Sequence, residues 1–375
     1  MLVNAVSIKE GGSRVVLLRL LEAMAAGRPD IEWHAAVHPS IARERILPDA
    51  VTLWTSAGID QSPAHVIYWY EVALPRLVRR LGADVLFSQT NYLPRRGVAC
   101  PTLLLEQHAG HFSAEFGQLM ERELASRWSV TAWRRKTAWV ENSVRTADRV
   151  IVQTAALAEA IGARIPASAD RIDVVAHGPG LVVHADRPTP WPEGRPWRIG
   201  YVSKYGVQKD FAAALQALRE LRSRGRDATL VLTLDQAQPG AAMVQGLAAE
   251  FGVAKYVENH GELGIAGIQA LYDGLDAFTF PSRCESFGFP LVEAMARGVP
   301  VVVARTPSNV EVAGDGAPAF APGDWRGLAD AVESVLADAA SHRTQALRSL
   351  SIAHRYSWDR AAADTLGAIA RVSAR

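Results

Sequence analysis

Residues 284–302 read CESFGFPLVEAMARGVPVV, and this stretch places two glutamates on either side of an aromatic and glycine turn. Proline is disfavoured inside a helix but accepted in its first turn, so Pro290 predicts that a helix begins directly after residues 286–289. The first N–H groups of a helix have no partner within it and attract anions. The turn therefore predicts a site for a phosphate or a sugar oxygen, with Glu285 and Glu293 as acceptors for hydroxyl groups. Spacing alone leaves a second interpretation open, in which Glu293 caps its own helix and Glu285 is a solvated loop residue.

Short apolar runs alternate with helical patterns on both sides of this stretch, which is typical of parallel sheets covered by helices. The strand candidates of the first half are LVNAVSI, IEWHAAV, ADVLFSQ, TLLLEQH and RVIVQT. Those of the second half are WRIGYVS, ATLVLTL, KYVENHG, DAFTFPS and VPVVVA. Because 375 residues exceed the usual size of one hydrophobic core, the sequence predicts an α/β fold with two Rossmann-like domains.

The best candidate for a linker is DRPTPWPEGRPW, residues 186–197. Its four prolines are incompatible with a helix interior or a central strand. We therefore assign residues 1–185 to a first domain and residues 198–357 to a second. Residues 358–375 form a helical pattern with no strand after it, and we expect this helix to cross back and pack on the first domain.

Composition and charge exclude several classes of function. Forty basic and 39 acidic residues give a net charge of +1, so no overall positive field is available to attract nucleic acid. Cys100 and Cys284 are too few for a disulfide framework or a cysteine-built zinc site, which suits a reducing cytoplasm. The N-terminus shows no basic leader with a long apolar run, and no stretch reaches the roughly 18 apolar residues of a membrane span. We expect a protein of the cytoplasm or of the cytoplasmic face of a membrane.

The stretch ESFGFPLVEAMARGVPVV resembles the E-x₇-E signature of the retaining glycosyltransferases of family 4, which have the GT-B fold. LYDGLDAFTFPSRCE is similar to the segment that precedes this signature, and WRIGYVSKYGVQKDFAAALQAL to the start of the family's C-terminal domain. Weaker similarities, in the family's order, are carried by KEGGSRVVLLRLLEAM, RVIVQTAALAEAI and YSWDRAAADTL. The resemblance implies two Rossmann-like domains with parallel sheets facing across a cleft, the first binding the acceptor and the second a nucleotide-sugar.

The resemblance also implies roles for residues of the second domain. Glu285 would contact hydroxyls of the donor sugar, Glu293 would bind the ribose, and the turn would line the sugar and its phosphates. The turn residues are Ser286, Phe287, Gly288 and Phe289. Lys204 and Lys209 would lie on the donor diphosphate, where the family carries an Arg and a Lys. Lys204 keeps the charge of that Arg but lacks its bidentate guanidinium.

In the first domain, His108 ends an apolar run at the carboxyl end of a predicted strand, where ligands collect in open α/β sheets. The family carries a histidine near this position that contacts the donor sugar, so His108 is predicted to be catalytic, with His111 as the alternative. Gly11 and Gly12 follow the first strand and would let a phosphate or an acceptor approach the backbone closely. A simple tight turn is the other interpretation of this glycine pair.

No D-x-D motif and no cluster with metal-ligand spacing occurs in the sequence, so we expect neither a metal nor another cofactor. Residues 127–145, RWSVTAWRRKTAWVENSVR, combine Trp128, Trp133 and Trp139 with basic residues. Such a helix can lie on an anionic membrane, or its tryptophans can pack inward while the basic residues face water. Unchanged co-sedimentation with liposomes after removal of Arg134, Arg135 and Lys136 would exclude membrane binding by this patch.

The resemblance therefore implies a retaining hexosyltransferase, and the lack of a metal-binding motif predicts one that works without a metal. It would move a sugar from UDP or GDP to a hydroxyl of a saccharide or a lipid-linked glycan, as in polysaccharide or lipopolysaccharide synthesis. Three alternatives remain: a GT-B nucleotide-sugar epimerase or hydrolase, an NAD-dependent enzyme, and an inactive saccharide-binding relative. The NAD-dependent enzyme would require a G-x-G-x-x-G fingerprint, which the loop at Gly11 does not have.

Overall fold

The computed structural model describes residues 1–123, 127–180 and 182–374. The chain divides into two compact units, of which the first is Met1–Gly178 with Ser357–Arg375 and the second is Pro179–Tyr356. Each unit has its own parallel sheet with helices packed on it. The α/β fold class with two Rossmann-like domains is confirmed.

The first unit contains, among the described residues, a sheet of seven strands in the order β3-β2-β1-β4-β5-β6-β7. The strands are β1 (Leu2–Ala5), β2 (Trp33–Val37), β3 (Val51–Thr55), β4 (Leu86–Ser88), β5 (Thr102–Leu105), β6 (Arg149–Val152) and β7 (Ile172–Val174). All neighbouring pairs are parallel. The order reverses between β1 and β4, and ligands of such sheets bind beyond the carboxyl ends of the strands at that point.

The helices of the first unit connect these strands. They are α1 (Gly11–Gly27), α2 (Pro39–Glu44), α3 (Pro63–Tyr68), α4 (Leu74–Leu81), α5 (Ala114–Glu123), α6 (Arg127–Thr146) and α7 (Ala155–Arg164). A π-helical turn, Trp69–Ala73, joins α3 to α4, and 3₁₀ turns occupy Ala109–Phe112 and Pro166–Arg171. The core lies between sheet and helices, with Leu86, Leu104 and Val150 fully buried on neighbouring strands.

The second unit repeats this architecture with a described sheet of six parallel strands, ordered β10-β9-β8-β11-β12-β13. The strands are β8 (Trp197–Tyr201), β9 (Ala228–Leu232), β10 (Val257–Asn259), β11 (Ala277–Phe280), β12 (Val301–Ala304) and β13 (Ala319–Phe320). The helices are α8 (Phe211–Ser223), α9 (Pro239–Glu250), α10 (Ile265–Asp273), α11 (Phe289–Ala296), α12 (Pro307–Ala313), α13 (Trp325–Val335) and α14 (Ala339–Ala353). A 3₁₀ turn, Ala254–Tyr256, precedes β10. The neighbours β8 and β11 bring two loops together at the carboxyl edge.

The last helix, α15 (Trp358–Ser373), belongs to the first unit. It packs against α1, where Leu366 lies over Gly27. The side chain of Ser357 accepts the N–H of Arg360 at 3.1 Å and caps the helix start. Near the other end, Arg371 pairs with Asp173 at 2.9 Å. The chain therefore returns to its first sheet after completing the second.

The division between the units differs from the one inferred from composition. It falls after Gly178, whereas the proline-rich residues 186–197 lie within the second unit. The N–H of Ala185 donates to the carbonyl of Ala296, and that of Thr189 to the carbonyl of Gly298. Prolines exclude regular structure, but the residues between them still carry donors that pack this segment on α11. Composition thus located an irregular segment and not the point where the chain passes between units.

Helix α6 carries the tryptophan and arginine pattern noted in the sequence. Trp133 stacks on His111, and the indole N–H of Trp139 donates to the carbonyl of Leu93 at 2.9 Å. The basic residues 134–136 are exposed, while the side chain of Trp128 lies outside the described residues. Both described tryptophans therefore pack inward, and membrane contact by this helix stays a prediction.

Among the helices that the structure describes, none combines the length and the apolar character needed to cross a membrane.

Candidate active site

The turn before α11 has the conformation that the sequence predicts. The helix begins at Phe289, Pro290 lies in its first turn, and Gly288 precedes it with a φ of 86°. This positive φ is unfavourable for residues with a side chain. A Cβ on Gly288 would also come within 3.0 Å of the Phe280 ring. The glycine therefore allows the chain to turn tightly against β11 and to start a helix at the carboxyl edge of the sheet.

Glu285 forms an ion pair with Lys209 at the start of this turn. The hydroxyl of Ser282 lies 2.5 Å from Oε1 of Glu285, and the Lys209 ammonium lies 5.3 Å from the centre of the Phe280 ring. Both charged side chains are only 13% exposed. Glu285 is therefore not a solvated loop residue, and a carboxylate and an ammonium are held side by side at the edge of the sheet.

Lys209 and Glu285 meet because β8 and β11 are neighbours, so the loops after them lie side by side. The N–H of Arg283 donates to the carbonyl of Gln208 at 2.9 Å, and the Arg283 side chain pairs with Asp210 at 2.9 Å. Asp210 also caps α8, because its carboxylate accepts the N–H of Ala213. These contacts hold the two loops together. Sequence reasoning named neither Arg283 nor Asp210, because their pairing spans 73 residues.

A second pair of contacts holds Glu293 on α11. The hydroxyl of Tyr272, at the end of α10, donates to Oε2 of Glu293 at 2.9 Å. The Tyr272 side chain is fully buried, and its burial together with the nearby carboxylate raises the pKa of its phenol well above the usual value. On the other side, a Cβ on Gly180 would overlap Oε1 of Glu293. The carboxylate is therefore seated between a phenol and a bare backbone and does not cap its helix.

Lys204 lies on the same loop as Lys209 in a different environment. Its side chain is 60% exposed, and its ammonium lies 3.8 Å from a carboxylate oxygen of Glu262. An exposed pair at this separation contributes little to stability. Lys209 is therefore the cation that the structure fixes in place, while Lys204 is a solvated charge near it in sequence.

In the first unit, His108 and His111 both follow β5 but lie in different surroundings. His111 is buried, stacks on Trp133 with the ring planes 14° apart, and lies 3.0 Å from the hydroxyl of Thr137. Burial lowers the pKa of His111 to about 3. His108 is half-buried, and its ring packs against the rings of His111, Phe116 and Trp133. His111 thus belongs to an aromatic cluster that supports His108.

The loop between β1 and α1 carries Gly11 and Gly12, both of them exposed. Gly11 opens α1 with a φ of 70°, and a Cβ there would meet no atom within 4 Å. Just before it, Lys9 pairs with Asp60 at 2.5 Å, and Asp60 also lies 2.5 Å from Nε2 of His38. The loop is thus tied to the carboxyl ends of β2 and β3. Space for a ligand remains beside Gly11.

Within the described ranges, no group of three or more His, Cys, Asp or Glu side chains is arranged to hold a metal ion.

Residues 186–348 match the family model described as glycosyl transferases group 1. Among curated proteins, 144 residues are 33% identical to a 2-deoxystreptamine glucosyltransferase of Streptomyces kanamyceticus and cover 38% of this chain and 37% of that relative. For the first three curated relatives, the match covers between 26% and 60% of the relative's length. The chain therefore spans less than two thirds of these relatives.

Solved structures match over nearly the whole chain. A sucrose-phosphate synthase from Thermosynechococcus elongatus has a TM-score of 0.73 at 17% identity, covering 99% of this chain and 98% of its own. The Anabaena protein HepE, solved in complex with UDP and glucose, has a TM-score of 0.72 at 17% identity, with 98% of each chain covered. At this identity the likeness shows a shared fold.

Proposed function

We propose that this chain is a group 1 glycosyltransferase of the GT-B type that takes its sugar from a nucleoside-diphosphate sugar. The observation that carries the proposal is the Lys209–Glu285 ion pair, held at the start of α11 beside the glycine turn. It combines a fixed cation, an acceptor for hydroxyls and a helix N-terminus within one edge of the sheet. The family match of residues 186–348 covers all three, and the HepE structure contains UDP.

In the proposed complex, the donor binds at the carboxyl edge of the second unit. Lys209 and the N–H groups of the turn at residues 286–289 hold the diphosphate, with Lys204 as a more exposed second cation. Glu285 accepts hydrogen bonds from hydroxyls of a hexose-type sugar, and Glu293 from the ribose. Carboxylates suit these partners because each oxygen accepts more than one hydrogen bond.

The proposed chemistry is departure of the nucleoside diphosphate with retention at the sugar carbon. This chemistry uses no covalent nucleophile, so catalysis rests on charge. Lys209 and the turn N–H groups stabilise the negative charge that grows on the leaving group, and His108 contacts the sugar. The acceptor hydroxyl attacks from the face that the diphosphate leaves. We propose that neither a metal nor another cofactor takes part.

The proposed acceptor is a hydroxyl of a saccharide or of a lipid-linked glycan, bound by the first unit with Gly11 and Gly12 at its edge. Curated relatives include an O-antigen chain mannosyltransferase of Escherichia coli. This supports a role in cell-surface polysaccharide or glycoconjugate synthesis. We further propose that the reaction takes place in the cytoplasm or at the cytoplasmic face of the membrane.

A thermal-shift panel of UDP, GDP, ADP and their sugar conjugates tests the donor class. A ligand at 100 times its dissociation constant stabilises the folded protein by about 2.7 kcal/mol, which raises the melting temperature of a unit of this size by about 5–10 °C. We expect this shift with UDP or GDP and not with the free nucleosides. A panel in which no nucleotide raises the melting temperature would refute the proposed function.

Replacing Tyr272 with phenylalanine tests the ribose site. The change removes only the hydroxyl that orients Glu293, at a net value of about 1 kcal/mol, so we expect the binding of the nucleotide identified by the panel to weaken about fivefold. The corresponding 2′,3′-dideoxynucleotide should bind equally to the wild-type protein and to Tyr272→Phe, because it lacks the hydroxyls that would donate hydrogen bonds to Glu293. An equal loss with both nucleotides would show that Tyr272 does not act through the ribose.

Reaction products separate the proposed transferase from its alternatives. An epimerase would convert the nucleotide-sugar without an acceptor, and a hydrolase would release free sugar. An inactive relative would bind the nucleotide and turn over nothing with any acceptor. Transfer to an added saccharide, measured by the mass of the product, is the outcome we expect.

A further inference from the structure

A buried carboxyl group lies directly behind His108. Glu106 is the first residue after β5, and its side chain is fully buried. Its Oε1 accepts the backbone N–H of His108 at 2.9 Å, while Oε2 has no hydrogen-bond partner among the described residues. Burial raises the pKa of Glu106 to about 8. Burial therefore favours the neutral acid over the carboxylate.

The backbone beyond β5 is held by side chains from the neighbouring strand ends. The side-chain amide of Gln153 donates to the carbonyl of Glu106 at 3.0 Å. The N–H of Gln107 donates to Asn91 at 2.8 Å, and the Gln107 amide donates to the carbonyl of Gln89 at 2.8 Å. Because buried backbone groups need partners where a sheet ends, these contacts fix the path of the chain up to His108.

Glu106 adds a contact to His108 itself. Its carboxyl fixes the N–H of His108, while the rings of His111, Phe116 and Trp133 pack against the imidazole. A glutamine would accept the same N–H without an ionisable group in the interior. Burying an acid disfavours the folded state as the pH rises, so a glutamate at this position makes the support of His108 sensitive to pH.

We propose that Glu106 is a positioning residue for the transfer reaction and holds the imidazole of His108 in its reactive orientation. This inference rests on the proposed function. It predicts that the neutral form of Glu106 supports activity, and that ionisation of the buried carboxyl displaces His108. Activity therefore falls as the pH rises through about 8.

Other titratable groups facing this segment do not account for a change at that pH. Tyr92, after β4, interacts electrostatically with Glu106, and burial raises the pKa of its phenol above the usual value. His111 has a pKa lowered to about 3, and Lys136 on α6 is exposed. Gln89 and Gln153 on the adjacent strand ends carry no charge. We therefore assign the expected decrease in activity at alkaline pH to the buried carboxyl of Glu106.

Steady-state kinetics of Glu106→Ala, Glu106→Gln, His108→Ala and the double variant Glu106→Ala/His108→Ala test the inference. The assay is release of the nucleoside diphosphate from the nucleotide-sugar that the thermal-shift panel identifies. We expect Glu106→Ala to lower kcat about tenfold or more, because a displaced group loses its orientation, with KM for the donor changed by less than about twofold. Glu106→Gln should keep the activity and lose the alkaline decrease near pH 8.

The double variant separates positioning from general stabilisation. If Glu106 acts through His108, Glu106→Ala causes no further loss once His108 is alanine. Multiplying effects would overturn the proposal, as would an unchanged alkaline decrease in Glu106→Gln. Thermal melts of each variant identify losses that come from unfolding.

A measurement without substrate keeps this inference separate from the proposed function. We expect Glu106→Ala to shift the NMR resonances of the His108 ring while those of the exposed His260 stay in place, and Glu106→Gln to shift neither. His108 resonances unchanged in Glu106→Ala would overturn the inference even in an active transferase. A wild-type protein without turnover would refute the proposed function, and the NMR comparison would still decide the role of Glu106.

Discussion

Glu285→Gln is expected to reduce sugar transfer by about 10²–10³-fold, the size of effect produced by removing one preorganised hydrogen-bonding group from an active site. The substitution preserves the shape of the side chain and removes its charge. The Gln amide oxygen can still accept from Lys209 and Ser282, so the loop should keep its path. The lost charge leaves the Lys209 ammonium without its counter-charge and costs about 1.5–3 kcal/mol, which corresponds to a decrease of about 3–12 °C in the melting temperature of a unit of this size.

Initial rates of transfer, with circular dichroism and thermal melts of the same preparation, check this expectation. Glu250→Gln is the matched control, because it makes the same change at an exposed glutamate of the second unit and should leave the rate unchanged. Normal transfer by the folded Glu285→Gln protein would remove Glu285 from the reaction. It would also favour a structural role for the ion pair with Lys209.

Lys209→Gln is expected to weaken binding of the donor diphosphate and to reduce transfer further. A hydrogen bond to a charged group is worth about 1.5–3 kcal/mol, so the dissociation constant should rise about 10–100-fold. The negative charge on the leaving group grows in the transition state, so kcat should fall as well. Lys209 is only 13% exposed beside Glu285, and this fixed position is why we expect the effect to be large.

Calorimetric titration with the nucleoside diphosphate and with the free nucleoside separates the phosphate contact from the rest of the site. Binding of the nucleoside should be unaffected, since it has no diphosphate. Lys255→Gln, an exposed lysine of the same unit, should behave as wild type. Lys204→Gln should weaken binding by less than about tenfold, because a solvated charge contributes little. Equal losses for Lys204→Gln and Lys209→Gln would contradict the difference in their surroundings.

The fold was largely predictable from short-range patterns. Parallel strands buried on both faces read as apolar runs, and all ten strands predicted from such runs, β1 and β11 among them, are present. The strands β3, β7 and β13 were not predicted. Residues 172–174 and 319–320 are too short to show a period, and β3 is only partly buried, so its sequence VTLWT lacks a continuous apolar run.

In the candidate site, too, local features were predictable and contacts between distant residues were not. The turn at Gly288 and the start of α11 followed from Pro290 and the glycine, because both act on the local backbone. The ion pair of Glu285 with Lys209 bridges 76 positions, and the hydrogen bond of Tyr272 to Glu293 bridges 21. Neither pairing has a local signal. Tyr272 appeared in the sequence only within the segment LYDGLDAFTFPSRCE, and no role was assigned to it.

The sequence by itself determined the type and order of the elements, two parallel α/β units and a helix that starts after a glycine turn, since backbone preferences and hydrophobic periodicity act over a few residues. Only the tertiary structure decided which cation neutralises Glu285, which of two histidines is half-exposed, and that Glu106 is buried behind it. These outcomes depend on strand order, because the sheet brings together side chains that the chain separates by tens of residues, and burial then sets their charge.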